Sequence, residues 1–250
     1  MKHTLAIDSG NSNIKWGLFS GNVLLKSQCI PCQNAALLES EFLRLPELAT
    51  IIVSHVGRKG TRHEIAELLV TRSERIYWLR ASEVQCGVHN GYADPHQLGS
   101  DRWAALIAAW NLSHRSCLVI NVGTALTVDL LSDSGEHLGG IIAPSAHLMI
   151  KSLSCETQLP YIESGMFDNF PSNTVDAIYT GAIQMMLGTI DRMFGLSANE
   201  VNHTDMKCII SGGGAHVIVP YLKHPYEYVD YLVLHGLALI AQEIRDNQIL

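Results

Sequence analysis

The sequence predicts an α/β protein built as two similar halves, and three observations carry the prediction. Apolar runs of strand length alternate with amphipathic stretches of helix length. Near the N-terminus, "TLAIDSGNSNIKWGLF" reads as strand, glycine corner and alternating strand, and "CLVINVGTALTVDLL" has the same shape further on. The copies keep register, because Asn121 stands for Asp8, Gly123 for Gly10 and Thr124 for Asn11, each 113 positions on. Identity between the copies is low, so the likeness is one of pattern. The halves divide near His114 and Arg115, which gives expected lobes of 1–114 and 115–250.

In order, "TLAID" is a buried strand, "GNSN" a turn and "IKWGLF" a strand with Ile14, Trp16 and Leu18 on one face. Lys15 then faces the other way, toward the corner where Asp8 ends the first strand. "LLESEFLRL" and "EIAELL" are short amphipathic helices, while "TIIVSHV" and "RIYWL" are buried strands. "GYADPHQLGSDRWAALIAAW" opens as a turn-rich loop and continues as a helix, with Asp101 at or just before the helix start. After the second corner come "GGIIAP" and a long helix whose Val175, Ile178, Ala182, Met186, Ile190 and Met193 recur at spacings of three and four and are read as core. "CIISGGGAHVI" is a strand, a third glycine corner and the opening of a helix, and "GLALIAQEIRDN" is a closing helix. Trp110, Met149 and Met166 are read as core rather than interface.

Composition narrows the function. With 47% hydrophobic and 16% charged residues in 250, the chain is globular and large enough for a substantial core. A formal charge of −7 and the lack of a Lys/Arg run set nucleic acid aside, since Arg58-Lys59 is short and Ser73 and Glu74 break Arg72–Arg75 into a solvated helix face. No signal peptide is recognisable, and no apolar stretch reaches the about 18 uncharged residues that span a bilayer, so a cytoplasmic protein without a membrane partner is expected. Six cysteines do not imply disulfides in a chain of this size. "CIPC" (29–32) has no second ligand pair at zinc spacing and is read as structural, and the twelve histidines form no H-E-x-x-H.

The corners carry the chemistry. A glycine turn after a strand leaves backbone N–H groups unshielded, where phosphate oxygens can bond them. Asp8 adds a hard carboxylate suited to Mg²⁺, and Lys15 a compact positive charge. The second corner adds N–H groups and the hydroxyls of Thr124 and Thr127. Two such hairpins facing one another would clamp a nucleotide, with "SGGGA" as a surface for the base. Each piece alone is a weak signal: a lone D-x-G-N turn is more often a plain hairpin, and neither Walker A nor G-x-G-x-x-G is present. Asp101 reads equally well as a helix N-cap or as a base beside Arg102 for a hydroxylated, carboxylated substrate, with Tyr92 lining the pocket.

Taken together, "DSGNSNIKWG", "GYADPHQLGSDR", "NVGTALTVD", "GGIIAP", "TGAIQMMLGTID" and "SGGGA" resemble the type III pantothenate kinases of the acetate and sugar kinase/Hsp70/actin superfamily, over almost the whole length. The resemblance implies two ribonuclease-H-like (actin-like ATPase) lobes with mixed sheets flanked by helices, a nucleotide cleft between them, and phosphorylation of pantothenate by ATP, the first step of coenzyme A synthesis. It implies an ATP site at Asp8, Ser9, Gly10, Asn11, Ser12, Asn13, Ile14, Lys15 and Thr124, with Asp8 on the Mg²⁺ side. It makes Asp101 the general base and puts Tyr92, Gly99, Ser100, Asp101, Arg102 and Thr180 on pantothenate. It also implies a homodimer and a requirement for K⁺ or NH₄⁺. Three positions depart from the family: Ser12 for Thr, Ser145 for Gly, and Asn121 for the Asp that serves as a monovalent-cation ligand, a change that weakens the expected cation dependence. The alternatives on the same fold are a regulatory or accessory protein without the chemistry and a kinase of another small hydroxy acid.

Overall fold

The structure, a computed structural model, describes residues 3–70, 72, 75–201 and 206–247. In chain order the elements are β1 (His3–Ser9), β2 (Asn13–Ser20), β3 (Val23–Pro31), α1 (Leu38–Leu43), β4 (Leu48–His55), α2 (Lys59–Leu69), β5 (Ile76–Trp78), β6 (Val84–Gln85), β7 (Val88–His89) and α3 (Ser100–Ser113). There follow β8 (Cys117–Val122), β9 (Ala125–Leu131), β10 (His137–Pro144), α4 (Ala146–Glu156), α5 (Thr174–Ser197), β11 (Lys207–Ser211), β12 (Tyr226–Tyr228) and α6 (Leu232–Asp246).

The chain groups into two compact units. The first runs to His114 and takes in Gly135–His137 and the stretch from Tyr231 onward; the second is Arg115–Ser134 with Leu138–Asp230. The expected lobes, 1–114 and 115–250, meet this division at His114 but part from it at the last helix, which lies with the first unit.

The first unit is a five-stranded mixed sheet in the order β3-β2-β1-β4-β5. β1 pairs antiparallel with β2 and parallel with β4, so it lies in the middle of the sheet and has both faces covered. That is why β1 and β4 read as continuous apolar runs rather than alternating ones. On one face Leu5, Ile7, Ile14, Trp16, Leu18, Ile51 and Val53 pack with Phe42 of α1 and with Ile65 and Leu69 of α2. The other face meets α6, which touches β1, β2 and β4 and pairs closely with α3. The sequence predicted a closing helix here but not which sheet it would cover.

α3 is buried on every side from Arg102 to Ala109, so its run of alanines serves close packing. The tightest point is Gly236 of α6, where a β-carbon would lie 1.8 Å from the Ala104 carbonyl oxygen. Only glycine lets the two helix backbones approach this closely.

The second unit repeats the plan. Its sheet has the order β10-β9-β8-β11-β12, the same order of first, second, third, fourth and fifth strands as in the first unit. β8 likewise pairs antiparallel with β9 and parallel with β11. Leu118, Ile120, Leu126, Val128, Ile210 and the α5 residues Ile183, Met186 and Ile190 form its core.

Several local expectations need correction. "RIYWL" is not a buried strand: β5 is a three-residue edge strand with half-buried side chains. "SGGGA" opens two single-turn 3-10 helices, Ala215–Val217 and Val219–Tyr221, and no α-helix, since Pro220 removes a donor there. Val175 is 40% exposed and Met166 76% exposed, so neither is core. Arg72 lies beyond α2 and donates to the carbonyls of Phe42 and Pro46; Ser73 and Glu74 of the basic cluster lie outside the described residues. Among the described residues no helix is long and apolar enough to cross a membrane.

Gly236→Ala is expected to destabilise the protein by about 2 kcal/mol or more, because the added methyl overpacks a backbone contact that cannot give way. Urea unfolding followed by circular dichroism checks this, and an unchanged midpoint would refute the close α3–α6 contact.

Candidate active site

The first corner is assembled by the β1–β2 ladder. Asp8 and Lys15 are cross-strand partners, and the Gly10 N–H donates to the Asn13 carbonyl at 3.0 Å to close the turn. Asn11, Ser12 and Asn13 are exposed at its tip. Ile14 points into the core and Ser9 is fully buried, its Oγ 3.0 Å from His55 Nδ1. Both residues are therefore buried whole, and neither presents its side chain at the surface of the corner. The loop after β4 lies against the corner: Val56 N–H donates to the Ser9 carbonyl at 3.1 Å, and a β-carbon on Gly57 would lie 2.4 Å from the Gly10 oxygen. Glycine is thus demanded at position 57 more than at Gly10 itself, where a β-carbon would lie 3.4 Å from the Asn13 oxygen. The sequence reading passed over Gly57 and His55, whose only signal was their place just after an apolar strand.

Asp8 is the electrostatic focus. Burial pushes its carboxyl from 3.8 up to about 7, with Lys15 pulling it down and Asp101 raising it further. Its Oδ1 is buried without a hydrogen-bond partner. A desolvated carboxylate with a lone oxygen to spare fits a hard divalent cation. Among the described residues no cluster of three or more His, Cys, Asp or Glu could hold a metal ion alone. A cation here would complete its shell with phosphate oxygens and water, as Mg²⁺ does in nucleotide sites.

The start of α3 supplies the second group. Gly99 is its N-cap and Asp101 the second residue of the helix, so Asp101 is not the N-cap. Its Oδ1 instead accepts the Arg102 N–H at 2.8 Å, and Gly99 makes room for it, since a β-carbon would lie 2.6 Å from that oxygen. Ser100 Oγ meets Ser54 Oγ at 2.8 Å in the interior, which ties the helix start to β4 beside β1. Arg102 is buried and donates from Nη1 to the Tyr92 hydroxyl at 2.8 Å, with its guanidinium 5.6 Å over the Tyr92 ring. The first unit therefore brings together Asp8, Lys15, Asp101, Arg102 and Tyr92.

The second unit holds Asn121, Thr124 and Thr180. Its corner is one residue tighter: Gly123 N–H donates to the Ala125 carbonyl at 2.9 Å, and Asn121 pairs with Thr127. Gly212 has φ +103°, and a β-carbon there would lie 2.3 Å from the Val122 oxygen and 2.6 Å from Asn121 Oδ1. Gly212 and Gly214, whose added β-carbon would lie 2.9 Å from Val122 Cγ1, are needed, then, to seat against the end of β8, whereas Gly213 faces open space. Ser145 takes the place of a family glycine without strain: its φ is −73°, and its hydroxyl donates to the Thr124 carbonyl at 2.8 Å. A cavity of about 190 Å³ lined by Gly123, Ser145, His147, Tyr179, Gly214 and His216 adjoins this corner. Thr180 is buried and its Oγ1 accepts the Asp168 N–H and donates to the Met166 carbonyl, so its hydroxyl fastens the loop before α5. Of "CIPC", Cys29 is exposed and the half-buried Cys32 donates from Sγ to the Gly10 carbonyl at 3.5 Å.

The family model for type III pantothenate kinase matches residues 4–195. A type III pantothenate kinase from Nitrosospira multiformis is 44% identical over 243 residues, covering 97% of this chain and 92% of the relative. Among solved structures, one described as a Baf family transcriptional activator from Campylobacter jejuni aligns with a TM-score of 0.60 at 23% identity, covering 98% of this chain and 100% of that one. MreB5 of Spiroplasma citri bound to ADP aligns at 0.53 and 11% identity, covering 100% and 99%. At such identities these likenesses speak to fold, and the fold is that of the actin-like ATPases and sugar kinases.

Because the folded-state pKa of Asp8 lies above its unfolded value, the native state holds a proton that the unfolded chain has released, and stability falls as pH rises from about 4 to about 7. Without nucleotide or divalent cation, Asp8→Asn is expected to melt higher than wild type at pH 8, the gap narrowing toward pH 5. Melting curves at the two pH values test this; a gap that does not change with pH would refute the buried-carboxylate assignment.

Proposed function

The chain belongs to the type III pantothenate kinases and transfers phosphate from ATP to pantothenate in the first step of coenzyme A biosynthesis; we propose how its residues divide that work. The observation that carries the division is the meeting of Asp8, Lys15, Asp101, Arg102 and Tyr92 within one unit. Phosphoryl transfer asks mainly for positioning and for neutralisation of charge, because its transition state is loose. The amides of the Gly10 corner and the Lys15 ammonium bind the phosphates. Asp8 is the residue that would hold Mg²⁺, which supplies charge neutralisation on the ATP oxygens.

Asp101 orients the pantothenate hydroxyl and accepts its proton as the hydroxyl oxygen bonds the γ-phosphorus and the bond from that phosphorus to ADP breaks, ADP leaving. Its bond from the Arg102 N–H fixes the carboxylate while leaving acceptor capacity on the group. Arg102 and Tyr92, with Gly99 and Ser100, hold the substrate, and the guanidinium matches a carboxylate. Asn121 is the residue that would hold a K⁺ or NH₄⁺ ion, its amide oxygen giving a weaker dependence than a carboxylate would. The assembly is a homodimer, for which the exposed Met166 and Phe170 offer apolar surface.

Asp101→Ala is expected to lower kcat by about 10²- to 10⁴-fold with KM for ATP little changed. Coupled ADP-release kinetics read this directly, and a turnover within about threefold of wild type removes Asp101 as the base. In the same assay wild type is expected to keep measurable activity without K⁺, and Asn121→Asp to raise the K⁺ activation. Negligible activity without K⁺ in wild type would overturn the role given to Asn121.

A further inference from the structure

Tyr92 is held from several directions. Its N–H donates to Asn90 Oδ1 at 3.1 Å, and Asn90 Nδ2 is anchored on the carbonyls of Ser82 and Pro95. Its hydroxyl accepts from Arg102. Its ring then lies on the imidazole of His137, with centroids 5.7 Å apart and planes 23° apart, an offset stack. His137 is 1% exposed and stands 45 residues along the chain from Tyr92, outside every motif that suggested the substrate pocket.

The segment that delivers His137 is itself fixed. Gly135 accepts the His89 N–H at 2.9 Å and takes φ +83°, and a β-carbon on it would lie 2.5 Å from the Gly87 oxygen and 3.2 Å from the Trp110 ring. Glu136 adds a bridge to His89. The imidazole thus stands on a backbone that has little room to move, whereas Tyr92 lies in a loop of turns and bends.

We infer that His137 is a positioning residue for pantothenate: by stacking on Tyr92 it fixes the ring, and through the ring the Arg102 guanidinium that meets the substrate. The inference rests on the substrate reading of Tyr92 and Arg102. A tyrosine ring without a flat partner turns about its side-chain bonds, and the hydroxyl that receives the Arg102 bond moves with it. Arg102 is buried, so a displaced acceptor leaves a buried donor to find another, and the guanidinium shifts. The loss falls on binding of the substrate and spares ATP.

The test compares His137→Phe, which keeps a flat ring, with His137→Leu, which fills the space without one; both replace the polar imidazole by an apolar side chain of similar bulk, so the difference between them isolates the flat ring. In the full-length protein, His137→Leu is expected to raise KM for pantothenate about five- to tenfold with kcat and KM for ATP nearly unchanged. His137→Phe is expected to restore the wild-type value. An unchanged pantothenate KM in His137→Leu overturns the inference, as does an equal loss in both variants or a parallel rise in KM for ATP. Tyr92→Ala run alongside separates the premises: if it leaves pantothenate KM unmoved, the substrate reading falls and takes this inference with it.

Discussion

A carboxylate kept out of water at the end of a doubly covered strand is the constraint around which the first unit is built. β1 lies between β2 and β4 and between two layers of helices, so its last residues inherit the dryness of the core. Asp8 is the price of that placement, since burial resists its ionisation and one oxygen has no hydrogen-bond partner. A protein selected for stability alone would place an apolar residue or a paired amide there. Retaining an acid is consistent with a strand end that has to meet a cation, a case of stability traded for function.

The same dryness determines what can stand opposite. α3 begins where Ser54 and Ser100 join hydroxyls in the interior, so the helix start is fixed to the strand next to Asp8 rather than to a mobile loop. Its body is fixed in turn by the Gly236–Ala104 contact with α6. Asp101 and Arg102, one residue apart in the first turn, therefore take their positions from packing along the whole helix. In the second unit the sheet order is repeated but the charge is not: Asn121 stands where Asp8 does, and Thr127 faces it in the ladder where Lys15 faces Asp8. The corner recurs, with neutral donors and acceptors where the first unit sets an acid across from a lysine.

These differences explain what the sequence disclosed. Both corners were legible, because a polar residue and glycine ending an apolar run leave few other readings, and α3 was legible from its period. Alternation placed Lys15 toward the Asp8 corner, and the structure makes the two direct cross-strand partners. The role of α6 was not legible, because an apolar stripe says that a helix packs and not against what. Val175 matched the helix period yet lies at the first turn of α5, beyond the edge of the core. Gly57, His55 and His137 escaped notice for another reason: each acts through a contact with a residue far along the chain, which no local pattern records. The pantothenate reading itself came from the resemblance, since the residues alone left Asp101 poised between cap and base.

Asp8 and Asp101 also bear on one another. On the proposed reading each is needed as an anion, the first for a cation and the second for a proton, yet the charge of Asp101 makes Asp8 harder to ionise. Lys15 is the group that opposes both burial and this repulsion, because the β1–β2 register sets it directly across from Asp8. Its position follows from strand pairing, so it is in place whether or not a nucleotide is bound. A neutral donor at position 15 could still bond a phosphate oxygen, but it would leave two carboxylates to share one low-dielectric corner. On the proposed reading the lysine thus serves the protein's own acids as well as the phosphates, which accounts for a full positive charge there when the matching position of the second unit carries a threonine.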